Sequence, residues 1–123
     1  MNNPDNKQGY SEKRRAARLY RRFVLRVSIF DERPLRWSYV TIHNLSSAGV
    51  LFTFERLVCE GMVLLFRIDF PERVIECKGR VARIAGTREA KFHDVAATFE
   101  GVSAADSKYI ENFLEEFINK NEA

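Results

Sequence analysis

The stretch from residue 23 to residue 100 consists of short apolar runs, several of which alternate with polar residues. β-Branched and aromatic side chains are common in the runs, and Pro, Gly, Asn and Ser occur between them. This pattern predicts antiparallel strands joined by turns, folded as a sandwich or a small barrel. The predicted strands are residues 23–30, 37–45, 50–54, 62–70, 74–86 and 91–100. We expect a bulge at Gly79, and simple alternation in the second strand places Asn44 on the face of Ile42, opposite His43.

The C-terminal segment has a different period. Its apolar residues recur at helical spacing with mostly charged residues between them, which predicts an amphipathic helix over residues 103–119. Ser103 and Asp106 match a capping box at its start. The apolar stripe consists of Tyr109, Ile110, Phe113, Leu114, Phe117 and Ile118. Such stripes more often pack on a core than bind a partner, so we expect this one to cover an open end or face of the β-structure.

Charge is distributed unevenly along the chain. The 123 residues carry a formal net charge of +3. Residues 1–26 hold eight basic and two acidic residues, so this segment is +6 and the remaining 97 residues are −3. Such an asymmetry indicates an anionic partner, namely a nucleic acid, a nucleotide or a membrane surface.

The basic residues are concentrated in an arm that precedes the first predicted strand. Residues 1–10 are polar and predict a disordered lead-in, whereas residues 11–22 are compatible with a helix that Ser11 caps. In a helix, Arg14, Arg18 and Arg22 share one face. Like charges at this spacing repel each other, so we expect the arm to be flexible until a counter-anion binds.

Length and composition limit the class of protein. The chain has the length of one domain, and 46% of its residues are hydrophobic and 30% charged, as in globular proteins. Cys59 and Cys77 are too few for a disulfide framework and have no pattern of zinc ligands around them. There is no signal-peptide core and no run of eighteen apolar residues. We therefore expect a soluble cytoplasmic protein without a membrane span, a metal or a cofactor.

Catalytic chemistry has little support in the sequence. His43 and His93 lie fifty residues apart with no local motif around them, and a strand histidine is usually a surface residue or a hydrogen-bonded core residue. Nucleophile elbows, zinc-protease motifs, phosphate loops and dinucleotide-binding glycine patterns are absent. We expect no enzyme and no catalytic residues.

Two short motifs stand out instead. Arg18 and Arg22 form an RxxxR pair directly before the first predicted strand, and Asn44, Ser46 and Gly49 form an NxSxxG segment between two predicted strands. Each is weak alone, because paired arginines are common and Asn, Ser and Gly are ordinary turn residues. In this order and context they resemble the PilZ domain, a bacterial receptor module for cyclic di-GMP, and the resemblance spans roughly residues 11–118.

The resemblance implies a small six-stranded, split antiparallel β-barrel over residues 23–100, with a C-terminal α-helix and a flexible basic N-terminal arm. It implies cyclic di-GMP as ligand, bound by Arg18, Arg22, Asn44, Ser46 and Gly49. The chain departs from the family at two positions: Asn44 stands where many members have Asp, and Ala48 where Gly is frequent. Arg14 and Arg18 also fit RxxxR. We choose Arg18 and Arg22 because the strand begins immediately after them, and retain Arg14, Arg15 and Arg21 as additional candidates.

These residue types suit the chemistry of the ligand. A guanidinium pairs bidentately with a phosphate or with the O6/N7 edge of guanine, and it stacks on a purine face. The other guanine edge offers N–H donors, which the Asn44 carbonyl and the Ser46 hydroxyl can accept. An extended backbone points residues two apart to the same face. Gly49 permits either a positive φ or a close approach of the ligand.

Three interpretations remain open from the sequence. The first is a stand-alone cyclic di-GMP receptor that passes its signal to an unidentified downstream protein. The second is a PilZ-like interaction module without nucleotide binding, although such members lack motif residues that this chain keeps. The third is a nucleic-acid-binding barrel, which the acidic charge outside the arm argues against. Ala17 occupies a position at which the family has an extra Arg when a stacked nucleotide pair binds. Ala17 therefore favours one nucleotide, although neighbouring arginines could compensate.

Overall fold

The computed structural model describes residues 23–87 and 90–122, without the side chains of residues 117–122. The predicted lead-in and arginine arm lie outside these residues. The elements in chain order are β1 (Val24–Ile29), β2 (Ser38–Tyr39), β3 (Thr41–Leu45), β4 (Gly49–Phe54), β5 (Val63–Asp69), β6 (Val74–Ala85), β7 (His93–Glu100) and α1 (Ala104–Glu122).

The strands form one antiparallel sheet in the order β2-β1-β5-β6-β7-β4-β3. β2 and β3 lie at opposite ends of this order, yet only Val40 separates them in the chain. β2 pairs with β1 and β3 pairs with β4, so the connection at Val40 brings the two edges of the sheet together. The sheet is therefore nearly closed and barrel-like, which confirms the prediction of a mainly β fold with a C-terminal helix.

The predicted number of strands is wrong by one, because the predicted strand 37–45 divides at Val40. The Val40 N–H still donates to the Leu25 carbonyl of β1 (3.3 Å). The next residue, Thr41, already pairs with Thr53 of β4. The alternation of residue types continues through Val40, so the local pattern carries no sign that the pairing partner changes there.

The core is formed by the inward-facing residues of the strands and by one side of α1. Buried aromatic rings meet edge to face at its centre, with Phe66 contacting both Phe52 (5.8 Å between ring centroids) and Phe99 (5.4 Å). Gly79 makes room for this cluster, because a Cβ there would lie 2.5 Å from the Phe66 ring. The predicted bulge at Gly79 is wrong. The irregularity lies between Val81 and Arg83, where β6 has one residue more than β7.

Helix α1 covers one end of the barrel. Ile110 is fully buried, and Tyr109, Phe113 and Leu114 pack against the core. This confirms the core interpretation of the apolar stripe for these four residues, whereas the side chains of Phe117 and Ile118 lie outside the described ones. Ser103 caps the helix through its Oγ, which accepts from the Asp106 N–H (3.1 Å).

The two ends of the barrel differ in what closes them. The helix end carries α1 and the turns β3–β4 and β5–β6, and Arg73 of the latter pairs with Asp106 of α1 (3.2 Å). The loop end carries the connections β1–β2, β4–β5 and β6–β7. At the loop end Glu32 is paired with Arg56 and with Arg36, and the hydrogen bonds from these two guanidinium groups lower the pKa of Glu32.

Candidate functional site

The NxSxxG segment comprises the end of β3, a tight turn and the first residue of β4. The Ser46 N–H donates to the Gly49 carbonyl (3.0 Å), which leaves Ser47 and Ala48 as a two-residue hairpin loop. The Ser46 hydroxyl accepts from the Ala48 N–H (3.2 Å) and lies 3.5 Å from the Gly49 carbonyl. A hydroxyl oxygen has two acceptor positions, so Ser46 retains one for a ligand while it stabilises the turn.

Gly49 has a packing role in this turn. Its φ is not positive, so the first of the two alternatives for this glycine, a left-handed backbone, does not apply. A Cβ at Gly49 would lie 2.3 Å from the Ala97 carbonyl oxygen of β7. The close approach that requires glycine is therefore that of the neighbouring strand, and the approach of a ligand remains a prediction.

Asn44 reaches the outer face of the barrel through a bulge. The β3–β4 register shifts between Ile42 and Asn44, so His43 is an extra residue. Asn44 is consequently opposite the outward-facing Leu51, while Leu45 turns inward and is buried. The predicted alternation, with Asn44 on the face of Ile42, is wrong for this reason.

The bulge also leaves Asn44 and Ser46 exposed on the same outer face, on either side of the buried Leu45. The described part of the chain gives the Asn44 side-chain amide no hydrogen-bond partner. Two polar groups with open acceptor positions thus stand side by side at the helix end of β3, as the guanine-binding hypothesis requires.

The histidines have structural partners. Thr53 donates its hydroxyl proton to Asp94 (2.8 Å), so its oxygen accepts from the Nε2–H of His43 (2.6 Å). His93 is buried, and its Nε2 lies 2.7 Å from the Thr87 carbonyl. Within residues 23–87 and 90–122, no group of three or more His, Cys, Asp or Glu side chains is arranged to hold a metal ion.

The root of the arginine arm lies at the same end of the barrel as the turn. Phe23, the first described residue, is buried against Phe70 (5.2 Å between ring centroids) and Phe113 of α1 (5.8 Å). Ser47 in the turn donates to Glu111 of α1 (3.1 Å). Both contacts are made to α1, so the chain before Phe23 joins the barrel at the end that carries the turn. Arg14, Arg15, Arg18, Arg21 and Arg22 themselves lie outside the described residues.

A separate cavity of about 530 Å³ opens at the loop end, away from the NxSxxG turn. It is lined mainly by apolar groups, among them Leu57, Val58 and Ile84, with Cys59 and His93 beside them. Among the residues that the structure describes, its lining includes none of the NxSxxG segment. The candidate site is therefore an exposed face of the barrel at its helix end, and the loop-end cavity is a different feature.

Sequence reasoning did not find the contacts that position the turn. Glu111 of α1 and Ala97 of β7 are far from the turn in sequence, and neither belongs to a motif. The helical spacing of apolar residues predicted that α1 packs on the barrel, but it did not predict which turn the helix would contact. The tight fit at Gly49 did leave a signal, since a glycine at the start of a strand often marks a close backbone approach.

The nearly closed antiparallel barrel with its C-terminal helix defines a class of small β-barrel domain. The family model described as "PilZ domain" matches residues 12–116. This match covers most of the chain, so the chain belongs to the PilZ domain family. PilZ domains are binding modules, and members of the family are generally receptors for cyclic di-GMP.

Two solved structures are similar in fold. The Bacillus subtilis inhibitor of motility (MotI/DgrA) matches with a TM-score of 0.61 at 21% identity, over 79% of this chain and 48% of that one. An uncharacterized Legionella protein, Lpg0364, matches with a TM-score of 0.51 at 13% identity, over 80% of this chain and 90% of that one. The chain thus spans about half the length of the Bacillus protein. No curated protein matches it.

Among the residues that the structure describes, no helix combines the length and the apolarity needed to cross a membrane.

Proposed function

We propose that this protein is a receptor for cyclic di-GMP. The observation that carries the proposal is the placement of Asn44 and Ser46. Their side chains stand on one exposed face with acceptor positions open, at the end of the barrel from which the segment with Arg18 and Arg22 departs. Guanine has N–H donors on one edge and acceptors on another, so acceptors on the barrel and guanidinium groups on the arm complement it.

The binding mechanism follows from these charges. The Asn44 carbonyl and the Ser46 hydroxyl accept from one guanine. Arg18 and Arg22 pair with the phosphates or with the O6/N7 edge, and Arg14, Arg15 and Arg21 add positive charge around them. The phosphates neutralise the arm, which then orders against the helix end of the barrel.

The consequence of binding is transmitted to another protein. An ordered arm presents a surface that the self-repelling free arm does not, and a downstream partner can recognise it. We propose that the protein acts in this way as a cytoplasmic adaptor, and that it performs no chemical reaction on its ligand.

Calorimetric titration of the full chain with cyclic di-GMP tests the proposal, with cyclic di-AMP and GTP as controls. Cyclic di-GMP is expected to bind selectively, because adenine presents an N6 amino donor where guanine presents the O6 acceptor. Equal affinity for the two cyclic dinucleotides would contradict the proposed recognition. Absence of binding to cyclic di-GMP would favour a PilZ module that acts through protein contacts alone.

Hydrogen-exchange mass spectrometry tests the ordering step. Cyclic di-GMP is expected to slow amide exchange in residues 11–22 and in Asn44–Gly49, while strand β5 barely responds. Rising salt is expected to weaken binding, because an exposed ionic contact is screened. If amide exchange in residues 11–22 is already slow without ligand, the binding site is rigid and the proposed ordering of the arm is contradicted.

A further inference from the structure

The outer face beside the candidate site extends across four strands. Asn44 of β3 is opposite Leu51 of β4, Leu51 is opposite Ala96 of β7, and Ala96 is opposite Arg83 of β6. These four residues form one cross-strand row. Neighbouring strands lie about 4.8 Å apart, so the two ends of the row are separated by about 14 Å along the surface.

Two bulges create this row. The extra residue His43 turns Asn44 outward, and the register shift at the other end, between Val81 and Arg83, turns Arg83 outward. Val81 is buried in the core and Arg83 is exposed, as expected when the extra residue Ala82 reverses the alternation between them. Bulges often re-aim side chains next to functional sites.

Arg83 is an available cation at the far end of the row. It makes no hydrogen bond or ion pair with the described part of the chain. Arg80, in the adjacent row, is already committed to Glu100 (2.7 Å) and to the Gly61 carbonyl (3.0 Å). A guanidinium without a partner retains its capacity to bind a phosphate bidentately.

Short, uncharged side chains cover the surface between the two ends of the row. Its residues are Leu51 and Ala96, and the adjacent row adds Gly49 and Thr98. None of these carries a charge or a long polar chain, so a planar base can lie across them. A ligand held at Asn44 would extend over this surface towards Arg83.

We propose that Arg83 is a further ligand-binding residue, which pairs with a phosphate on the side of the cyclic dinucleotide away from Asn44. This inference rests on the proposed function, because it assumes that cyclic di-GMP occupies the outer face. Arg83 and the arginine arm would then contact the ligand from different sides of the site. The bulges in β3 and β6 would then serve the same site, because each turns a ligand-binding residue outward.

Titration of the Arg83→Ala variant with cyclic di-GMP tests this role. Binding is expected to weaken about ten- to a hundredfold, as for the loss of one charge-assisted contact. Arg83→Lys should retain part of the affinity, because Lys keeps the positive charge but lacks the planar guanidinium that pairs bidentately with a phosphate. The matched control Lys91→Ala removes the same charge at the loop end and should bind like the wild type. The melting temperature of Arg83→Ala should be unchanged.

A second pair of variants tests whether the ligand crosses the row. Ala96→Glu should weaken binding at least about tenfold through repulsion of the phosphates at close range, and Ala96→Gln, of the same size, should weaken it much less. Wild-type binding together with a loss below about tenfold in Arg83→Ala would overturn the role of Arg83 and leave the receptor function intact. Absence of binding in the wild type would overturn both.

Discussion

Ser47 in the β3–β4 turn donates a hydrogen bond to Glu111 of helix α1 (3.1 Å), across 64 residues of sequence. Two positions further along the helix, Phe113 packs on Phe23, the residue that follows the arginine arm. The turn of the NxSxxG segment and Phe23 thus contact the same helix. The position of the turn relative to Phe23 depends on how α1 is seated on the barrel.

The seating of α1 can be tested at two core positions. Ile110→Ala should lower the free energy of unfolding by about 2–5 kcal/mol, because Ile110 is fully buried. Phe113 is only half-buried, so Phe113→Ala should cost about 2–3 kcal/mol, less than a fully buried Phe. Chemical denaturation measures both. The exposed Glu116→Ala is the control, and wild-type stability in both core variants would show that the stripe is a partner surface.

The register of the arginine motif can be decided by single substitutions. Arg18→Ala and Arg22→Ala should each weaken cyclic di-GMP binding by about 1.5–3 kcal/mol, or about ten- to a hundredfold. Arg14→Ala should have a smaller effect. None should lower the melting temperature much, because the arm precedes the packed core. If Arg14→Ala gives the largest loss in calorimetry, the motif is Arg14 with Arg18.

Gly49 and Ser46 should separate the structural from the ligand-binding role of the turn. Gly49→Ala places a Cβ 2.3 Å from the backbone oxygen of Ala97, so the strands must move apart and stability should fall by about 1–3 kcal/mol. Ser46→Ala removes an exposed hydroxyl and should lower the affinity more than the melting temperature. Thermal denaturation and calorimetry of both variants measure these effects. A wild-type melting temperature for Gly49→Ala would contradict the close contact.

The two cysteines should react at different rates. Burial, and secondly the negative charge of Asp106, raise the pKa of the Cys77 thiol to about 11, whereas Cys59 is exposed. Only the thiolate reacts readily, so at pH 8 a thiol reagent should modify Cys59 and leave Cys77 largely intact. The variants Cys59→Ser and Cys77→Ser show which thiol gives the fast phase and which the slow phase of the reaction with the reagent. Comparable rates for the two thiols would contradict the burial of Cys77.

The same shift has a consequence for stability. The folded pKa of Cys77 lies above its ordinary value of 9.0, so the folded state favours the neutral thiol. The contribution of the neutral Cys77 thiol to the free energy of unfolding is present below pH 9 and is lost as the pH rises towards 11. The stability of Cys77→Ser should therefore fall less over this range than that of the wild type.

The class of fold, the approximate strands, the C-terminal helix and the family could all be predicted from the amino-acid sequence. Alternating and helical periods report which side of an element is buried, and this information is local. Phe52, Phe66 and Ile110 are core residues for that reason. The RxxxR and NxSxxG motifs are also local, so their residues could be named without coordinates.

The contacts between distant residues became known only from the folded chain. The division of one predicted strand at Val40, the bulges before Asn44 and Arg83, and the contact of Ser47 with Glu111 all depend on pairing between distant segments. A strand changes its register when a neighbouring strand imposes it, and the sequence of the strand alone does not contain the neighbour. Asn44 illustrates the consequence: simple alternation places it on the inner face, and one extra residue opposite β4 brings it to the outer face, where a ligand can reach it.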